Sequence, residues 1–320
     1  MITVRLSPAD LADVRFAISP VWEAVAGLRA LRDPGIHAVH LPWVRQHRSE
    51  VLGSAEFPLL NDLGIRPARQ LPGFLAPAPT SPVADLDSEL AVVAASPAEV
   101  VRAEIAAVFG PTPSPLTAEL YRAPRRGLRR LTDELRAYWQ LTIEPHWDRM
   151  RGLLEGDVAF RARDLADRGP RAMFGGLDPA ISWADDQLHL DIPRIEDEVA
   201  LGGRGLVLVP TLFGWPRVFV KTNEPWAPLV RYPARAVGAL WETAPPASDL
   251  APALGATRAR LLTELGTPAT TSDLARRTGL APGGVSEHLR RLTASGLVAR
   301  HRTGRTVVYA RTARGEALFG

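Results

Sequence analysis

Hydrophobic spacing changes period several times along the chain. The opening "ITVRLS" alternates as a strand does, and Ser7-Pro8 and Ser19-Pro20 each set a hydroxyl N-cap ahead of an N1 proline, which predicts two helices. "SPAEVVRAEIAAVFG" repeats the device at Ser96-Pro97, and Phe109-Gly110-Pro111 closes that helix. From Leu116 to about Arg168 the pattern is helical, with Leu128, Leu131, Leu135, Tyr138, Trp139 and Leu141 forming an apolar stripe. Then "AISWADDQLHLDI", "GLVLVPTLF", "PRVFVK" and "APLVRY" follow as short β-type runs between Gly and Pro. Residues 1–245 are therefore expected to form a mixed α+β domain of helices plus a small antiparallel sheet.

"ETAPPASDLAP" at Glu242–Pro252 has no hydrophobic period, which predicts a linker over residues 246–252. Beyond it, residues 253–320 change period once more. "LGATRARLLTELG" places Leu254, Leu261, Leu262 and Leu265 on one helical face. "TTSDLARRTG" predicts a short helix with Thr271 as N-cap, Asp273 in the first turn and Gly279 as C′. In "APGGVSEHLRRLTASG", Pro282 suits N1, Val285, Leu289 and Leu292 fall at i, i+4 and i+7, and Gly296 ends the helix. After Gly296 the period becomes two: "LVARHR", a turn at Thr303-Gly304-Arg305, then "TVVYAR". That order reads as a helix-turn-helix followed by a hairpin wing, with the second helix suited to the major groove and the wing to the DNA backbone.

Composition sharpens this picture. The 320 residues are 46% hydrophobic and 23% charged, enough for two domains with real cores. Neither an 18-residue apolar run nor a signal-peptide pattern is present, so a soluble, cytoplasmic protein without a membrane partner is expected. Cysteine is absent, which removes disulfides, thiolate metal sites and cysteine nucleophiles together. From Leu250 onward eleven arginines face four acids, a net of +7, whereas the whole chain is +3 and residues 1–249 therefore carry −4. A compact basic tail on a mildly acidic body suggests a polyanion partner for the tail, and the helix-turn-helix order makes double-stranded operator DNA the expected one. All eight tryptophans precede the expected linker.

The run "TSDLARRTGLAPGGVSEHLRRLTASGLVARHRTGRTVVYAR" resembles the winged helix-turn-helix of ArsR-type bacterial transcriptional regulators, above all in "VSEHLRRLTASGLV" followed by a basic, Gly-containing wing and a Tyr. The resemblance covers about the last quarter of the chain. A subgroup of that family carries the module behind a long N-terminal domain without assigned function, and this layout is similar. The resemblance implies a homodimer that binds a partly palindromic operator. It places Gly283, Gly284, Ser286, Glu287 and Arg290 on the DNA-facing turns, and Arg302 and Arg305 on the wing. Arg291, Arg300 and His301 complete the candidate DNA-binding set. Where many relatives have a Ser N-cap and polar side chains on the first turn, this sequence has Ala281 and Gly283-Gly284, which removes base-reading side chains and lets the backbone come closer to DNA. The metal-sensing Cys and Asp/His constellations of the family are missing. With about ten residues after the wing, dimer contacts are expected from the Leu254–Leu265 helix or the N-terminal domain.

Other candidates carry less. His37, His40 and His47 would share a face of a continuous helix, but Pro42 interrupts it, so no metal site is expected. Asp185, Asp186, His189 and Asp191 in "ADDQLHLD" fit a polar hairpin turn better than acid/base groups. The glycines of "LGGRGLVLVP" precede a strand and do not open a helix, which argues against a phosphate loop. No catalytic residues and no cofactor are assigned. The expected function is a DNA-binding transcriptional regulator controlled through its N-terminal domain, where a small-molecule effector could bind. The alternative is a hydrolase or transferase in that domain, tethered to DNA by the tail.

Overall fold

The computed structural model describes residues 1–64, 71–82, 85–110, 113–193, 195–235, 237–241, 247–266, 269–303, 306–316 and 318–319. It divides into two compact units, Met1–Val237 and Gly238–Gly320. The first opens with β1 (Ile2–Arg5), α1 (Pro8–Ala12), β2 (Val14–Phe16) and α2 (Pro20–Arg32). Helices α3 (Leu41–Val51), α4 (Pro58–Gly64), α5 (Leu86–Ala94), α6 (Ala98–Phe109), α7 (Pro115–Arg122), α8 (Pro124–Thr142) and α9 (Trp147–Gly175) follow. The unit closes with β3 (Ile181–Ala184), β4 (Gln187–Leu190), β5 (Asp197–Ala200), β6 (Leu206–Thr211), β7 (Phe219–Lys221) and β8 (Leu229–Pro233).

The two serine caps form as expected. Ser7 makes a capping box with Asp10, and Ser19 accepts from the Trp22 amide. At Ser96-Pro97 the helix starts one residue later, with Pro97 itself as an N-cap that offers no side-chain acceptor. The helical pattern over 116–168 is cut twice at prolines, at Ala123-Pro124 and at Glu144-Pro145, and α9 kinks beyond it, where Gly169 turns to φ 78° ahead of Pro170.

The strands correct the expectation of one small antiparallel sheet. Two four-stranded sheets form, ordered β3-β4-β1-β5 and β2-β6-β8-β7, and both are mixed. In the first, β1 runs antiparallel to β4 and parallel to β5. In the second, β2 pairs parallel with β6, β6 parallel with β8, and β7 antiparallel with β8. Every residue of β6 is buried, as suits a central strand covered on both faces. The first sixteen residues thus give one strand to each sheet, through pairings that local alternation does not encode.

Val4, Phe174, Leu188, Leu190, Leu208 and Tyr232 centre one apolar core. α2 is buried from Pro20 to Leu31, as a helix enclosed on all sides must be, and the α8 residues Leu128, Leu131, Leu135 and Tyr138 are buried too. Each such leucine contributes about 1.5–3 kcal/mol by burial. Charged groups also lie inside, among them Arg231, Glu23 and Glu89. Arg231 on β8 stacks on Trp22, 4.0 Å from the ring centroid, and donates to the Ala76 carbonyl at 2.7 Å. Glu23 accepts from the Leu212 and Phe213 amides at 3.1 and 2.8 Å, and Glu89 from Ser19 Oγ and the Val21 amide at 3.0 and 2.8 Å. Burial pushes both carboxyls up to about 7, against the pull of these hydrogen bonds and of Arg231. Burial also lowers Arg231 to about 9, with Glu89 and Glu23 opposing.

The second unit contains α10 (Ala247–Leu254), α11 (Ala256–Glu264), β9 (Ala269–Thr270), α12 (Thr271–Thr278), α13 (Pro282–Ala294), β10 (Val298–Thr303), β11 (Thr306–Arg311) and α14 (Ala313–Glu316). The expected linker is therefore helical from Ala247, while 242–246 lie outside the described residues. Ala and Leu favour helix even without a periodic pattern, and Pro252 falls in the last turns before Gly255 at φ 81°. The unit boundary also puts Trp241 with the second unit.

Candidate nucleic-acid interface

The sequence builds this site by fixing the second of two helices. α12 starts at a capping box in which Thr270 accepts from the Asp273 amide at 3.1 Å and Asp273 accepts from the Thr270 amide at 3.2 Å. The cap is Thr270, one residue before the expected Thr271. Hydrogen bonds from Thr270 and Arg276 hold the Asp273 carboxyl down at about 2. Gly279, left-handed at φ 68° and ψ 13°, ends α12, and Pro282 opens α13 behind an Ala281 N-cap that makes no side-chain bond. Val285, Leu289 and Leu292 are buried against Leu261, Leu262, Leu265 and Leu274. The C-terminus closes as a Schellman motif. The Leu297 amide reaches the Leu292 carbonyl and the Gly296 amide the Thr293 carbonyl, both at 3.0 Å, with Gly296 at φ 72°.

With that apolar face fixed inward, Gly283, Gly284, Ser286, Arg290 and Arg291 are exposed on α13 and Glu287 is partly exposed. Side chains added at Gly283 or Gly284 would meet nothing within 4 Å, so packing does not require glycine at either position. Glu287 pairs with both following arginines, through Oε1 to Arg291 Nε at 3.0 Å and through Oε2 to Arg290. Such exposed pairs are worth about 0–1 kcal/mol and yield readily to a phosphate.

The wing is antiparallel, ordered β10-β11-β9, with Arg300 opposite Tyr309, His301 opposite Val308 and Arg302 opposite Val307. Arg300 is exposed; Arg305 lies outside the described residues. Among the basic residues counted in the tail, Arg311 has a structural task that sequence spacing does not reveal. It donates to the Leu262 and Thr263 carbonyls at 2.6 and 2.8 Å and lies 3.6 Å from the Phe319 ring centroid, tying the wing to the end of α11.

The first unit disperses the other candidates. His40 bonds the Leu212 carbonyl at 3.0 Å and stacks on Phe213, with its pKa lowered by burial to about 4. His47 instead packs on Trp43, and burial lowers both His37 and His47. Among the described residues no three His or carboxylate groups converge as a metal site. Asp185 and Asp186, at φ 52° and 56°, form the β3–β4 turn, and His189 contacts Thr3 and the Ala184 carbonyl. In the glycine-rich loop, the Gly205 amide donates to Asp10 at 3.0 Å. A Cβ at Gly205 would come within 2.7 Å of the Asp13 carbonyl, so this loop serves close backbone packing. Burial pushes Asp10 up, yet bonds from Ser7, Gly205 and Gly203 outweigh it and leave the carboxyl below its ordinary value. A cavity of about 320 Å³ lies beside Phe16–Ile18 at the end of β2, with Val158 and Ala159 of α9 on its wall.

No described helix is long and apolar enough to cross a membrane. The chain matches no curated protein and no solved structure. Residues 256–301 match the model of a helix-turn-helix domain, which makes this segment a DNA-binding element of the kind transcription regulators carry. Residues 76–238, half of the chain, match a second model that ends at the boundary between the two units. By that match the protein belongs to a family of unknown function, DUF5937, and here its domain is followed by a helix-turn-helix.

Proposed function

We propose that the protein is a non-catalytic, cytoplasmic transcriptional regulator of the ArsR type, which binds a partly palindromic operator as a homodimer and is controlled through residues 1–245. The observation that carries this reading is α13. Its Val285-Leu289-Leu292 face is locked into the core, which leaves Gly283, Gly284, Ser286, Arg290 and Arg291 exposed on one helix, with Arg300 exposed on the wing. In this reading Ser286, Glu287 and Arg290 face base edges, while Arg291, Arg300, His301, Arg302 and Arg305 neutralise phosphates. Selection of genomic fragments by the purified chain, followed by titration on the enriched and a scrambled duplex, tests it. Equal affinity for the two duplexes would leave no operator to recognise.

The glycine pair gives a sharper test. Glycine inside a helix costs up to about 1 kcal/mol relative to alanine, and neither position has a neighbour to clash with. The Gly283→Ala/Gly284→Ala variant is therefore expected to melt higher while binding operator about tenfold more weakly, because two methyl groups hold the backbone off the DNA. Unchanged affinity would remove the backbone approach from the interface.

Control through the first unit predicts reciprocal linkage. An effector that changes operator affinity by a given factor must have its own affinity changed equally by operator, typically about 5–150-fold. Seven of the eight tryptophans lie in the first unit, so in a Trp241→Phe background their emission reports that unit. Effector titrations with and without saturating operator that gave one affinity would show a ligand with no hold on DNA binding.

A further inference from the structure

A cavity of about 440 Å³ opens between the α5–α6 connection and the start of α8. Four observations converge on it. First, α6 begins there without a side-chain cap, since Pro97 is its N-cap, so the amides of its first turn face outward with the positive end of a twelve-residue helix. Second, Ser96 lines the cavity, is only 8% exposed, and has an Oγ with no hydrogen-bond partner among the described residues. Third, Arg125 and Arg129 of α8 form the opposite wall, exposed and with no ion pair among the described residues. Fourth, α8 carries Arg125, Arg126, Arg129 and Arg130 at its own N-terminal end with no acid in the first turn, which sets cations against the helix dipole. Among the described residues only Arg130 of these four is compensated, by Glu134 at 2.9 Å. This concentration of positive charge stands on a body whose residues 1–249 are net negative.

We propose that this cavity binds the phosphate group of a small phosphorylated metabolite. Two guanidinium forks, uncapped helix amides and a free hydroxyl supply more donors than the two oxygens of a carboxylate can accept, and they suit the oxygens and double charge of a phosphate. Ala94, Ala95 and Ala98 leave the rest of the space to a compact carbon skeleton, within the size range of metabolite pockets. Glu99, the one carboxylate on the wall, is exposed and pairs with neither arginine among the described residues, so it can turn to solvent. The binding claim stands on this geometry; its regulatory consequence rests on the proposed function.

The test is calorimetric titration of the intact protein with inorganic phosphate and, separately, with a hexose phosphate at low ionic strength. Saturable binding of both is expected, tighter for the ester if the alanine-lined space holds its carbon skeleton and equal if the site takes free phosphate. The Arg125→Ala/Arg129→Ala variant should lose about tenfold or more in affinity, and Ser96→Ala a smaller factor, at unchanged melting temperature. Arg126→Ala, outside the cavity wall, should bind as the parent does. Absence of saturable binding to either anion, or equal affinity in the double variant, overturns the proposal. So does a double variant that keeps phosphate binding but shows a flatter salt dependence on DNA, which would make these arginines part of a nucleic-acid contact. If phosphate binds as expected and operator affinity stays constant, the site stands and its control of DNA binding falls.

Discussion

Operator affinity is expected to collapse with salt, and the wing arginines should set the steepness. If a dimer neutralises about eight phosphates, log K falls with log salt at a slope of roughly −7, so a fourfold rise in salt costs on the order of 10⁴ in affinity. Arg302→Ala or Arg305→Ala should each reduce the slope by about one per protomer and weaken operator and scrambled duplex alike. Ser286→Ala or Arg290→Ala should instead change the preference between the two duplexes, because base contacts specify where phosphate contacts only position. Glu287→Gln releases the guanidiniums of Arg290 and Arg291 that it now holds, and should raise affinity for the scrambled duplex while steepening the slope. Titrations at several salt concentrations decide this. Wing variants with the parent slope would take the wing out of the interface, and a Glu287 variant with parental behaviour would mean that those ion pairs do not compete with DNA.

The largest stability effect is expected at Arg231→Ala. The arginine is buried between two buried carboxyls, and removing one partner from such a group costs about 3–5 kcal/mol because the remaining charges stay unpaired in the core. The loss should depend on pH with a definite sign. Burial raises Glu23 and Glu89 from 4.5 to about 7 in the folded protein, so their stabilising contribution is complete below the unfolded value and is lost as pH rises through 7. The parent's first unit should therefore weaken from about pH 5 to pH 8. The variant lacks the cation that favours the charged carboxylates, so its decline should be steeper and continue to higher pH. Asp10, whose carboxyl is lowered, acts in the opposite sense, and only below its unfolded value near 3.8. Urea unfolding of the Trp241→Phe chain, followed by Trp emission across this range, measures it. A pH-independent loss under about 1 kcal/mol would show that the three groups do not act as a unit.

The second unit was legible in the sequence because its information is local. Caps, left-handed glycines and a 3.6-residue period act within a few residues, so Gly279, Pro282, the Val285-Leu289-Leu292 face and the period change at Gly296 specify α12, α13 and the wing locally. Even there, Arg311 read as one more basic charge, and only the fold brought it to the carbonyls ending α11. In the first unit the sequence determined the α+β class, the caps at Ser7 and Ser19, the stripe along α8 and the β-runs after residue 180. Tertiary structure decided what pairs with what. β1 and β2 lie two residues apart from α1 on either side or closer, yet they join different sheets, and their parallel partners β5 and β6 lie about two hundred residues away. It also gathered Glu23, Glu89 and Arg231, and brought Arg125 and Arg129 opposite Ser96, since contacts between distant segments depend on how whole elements pack.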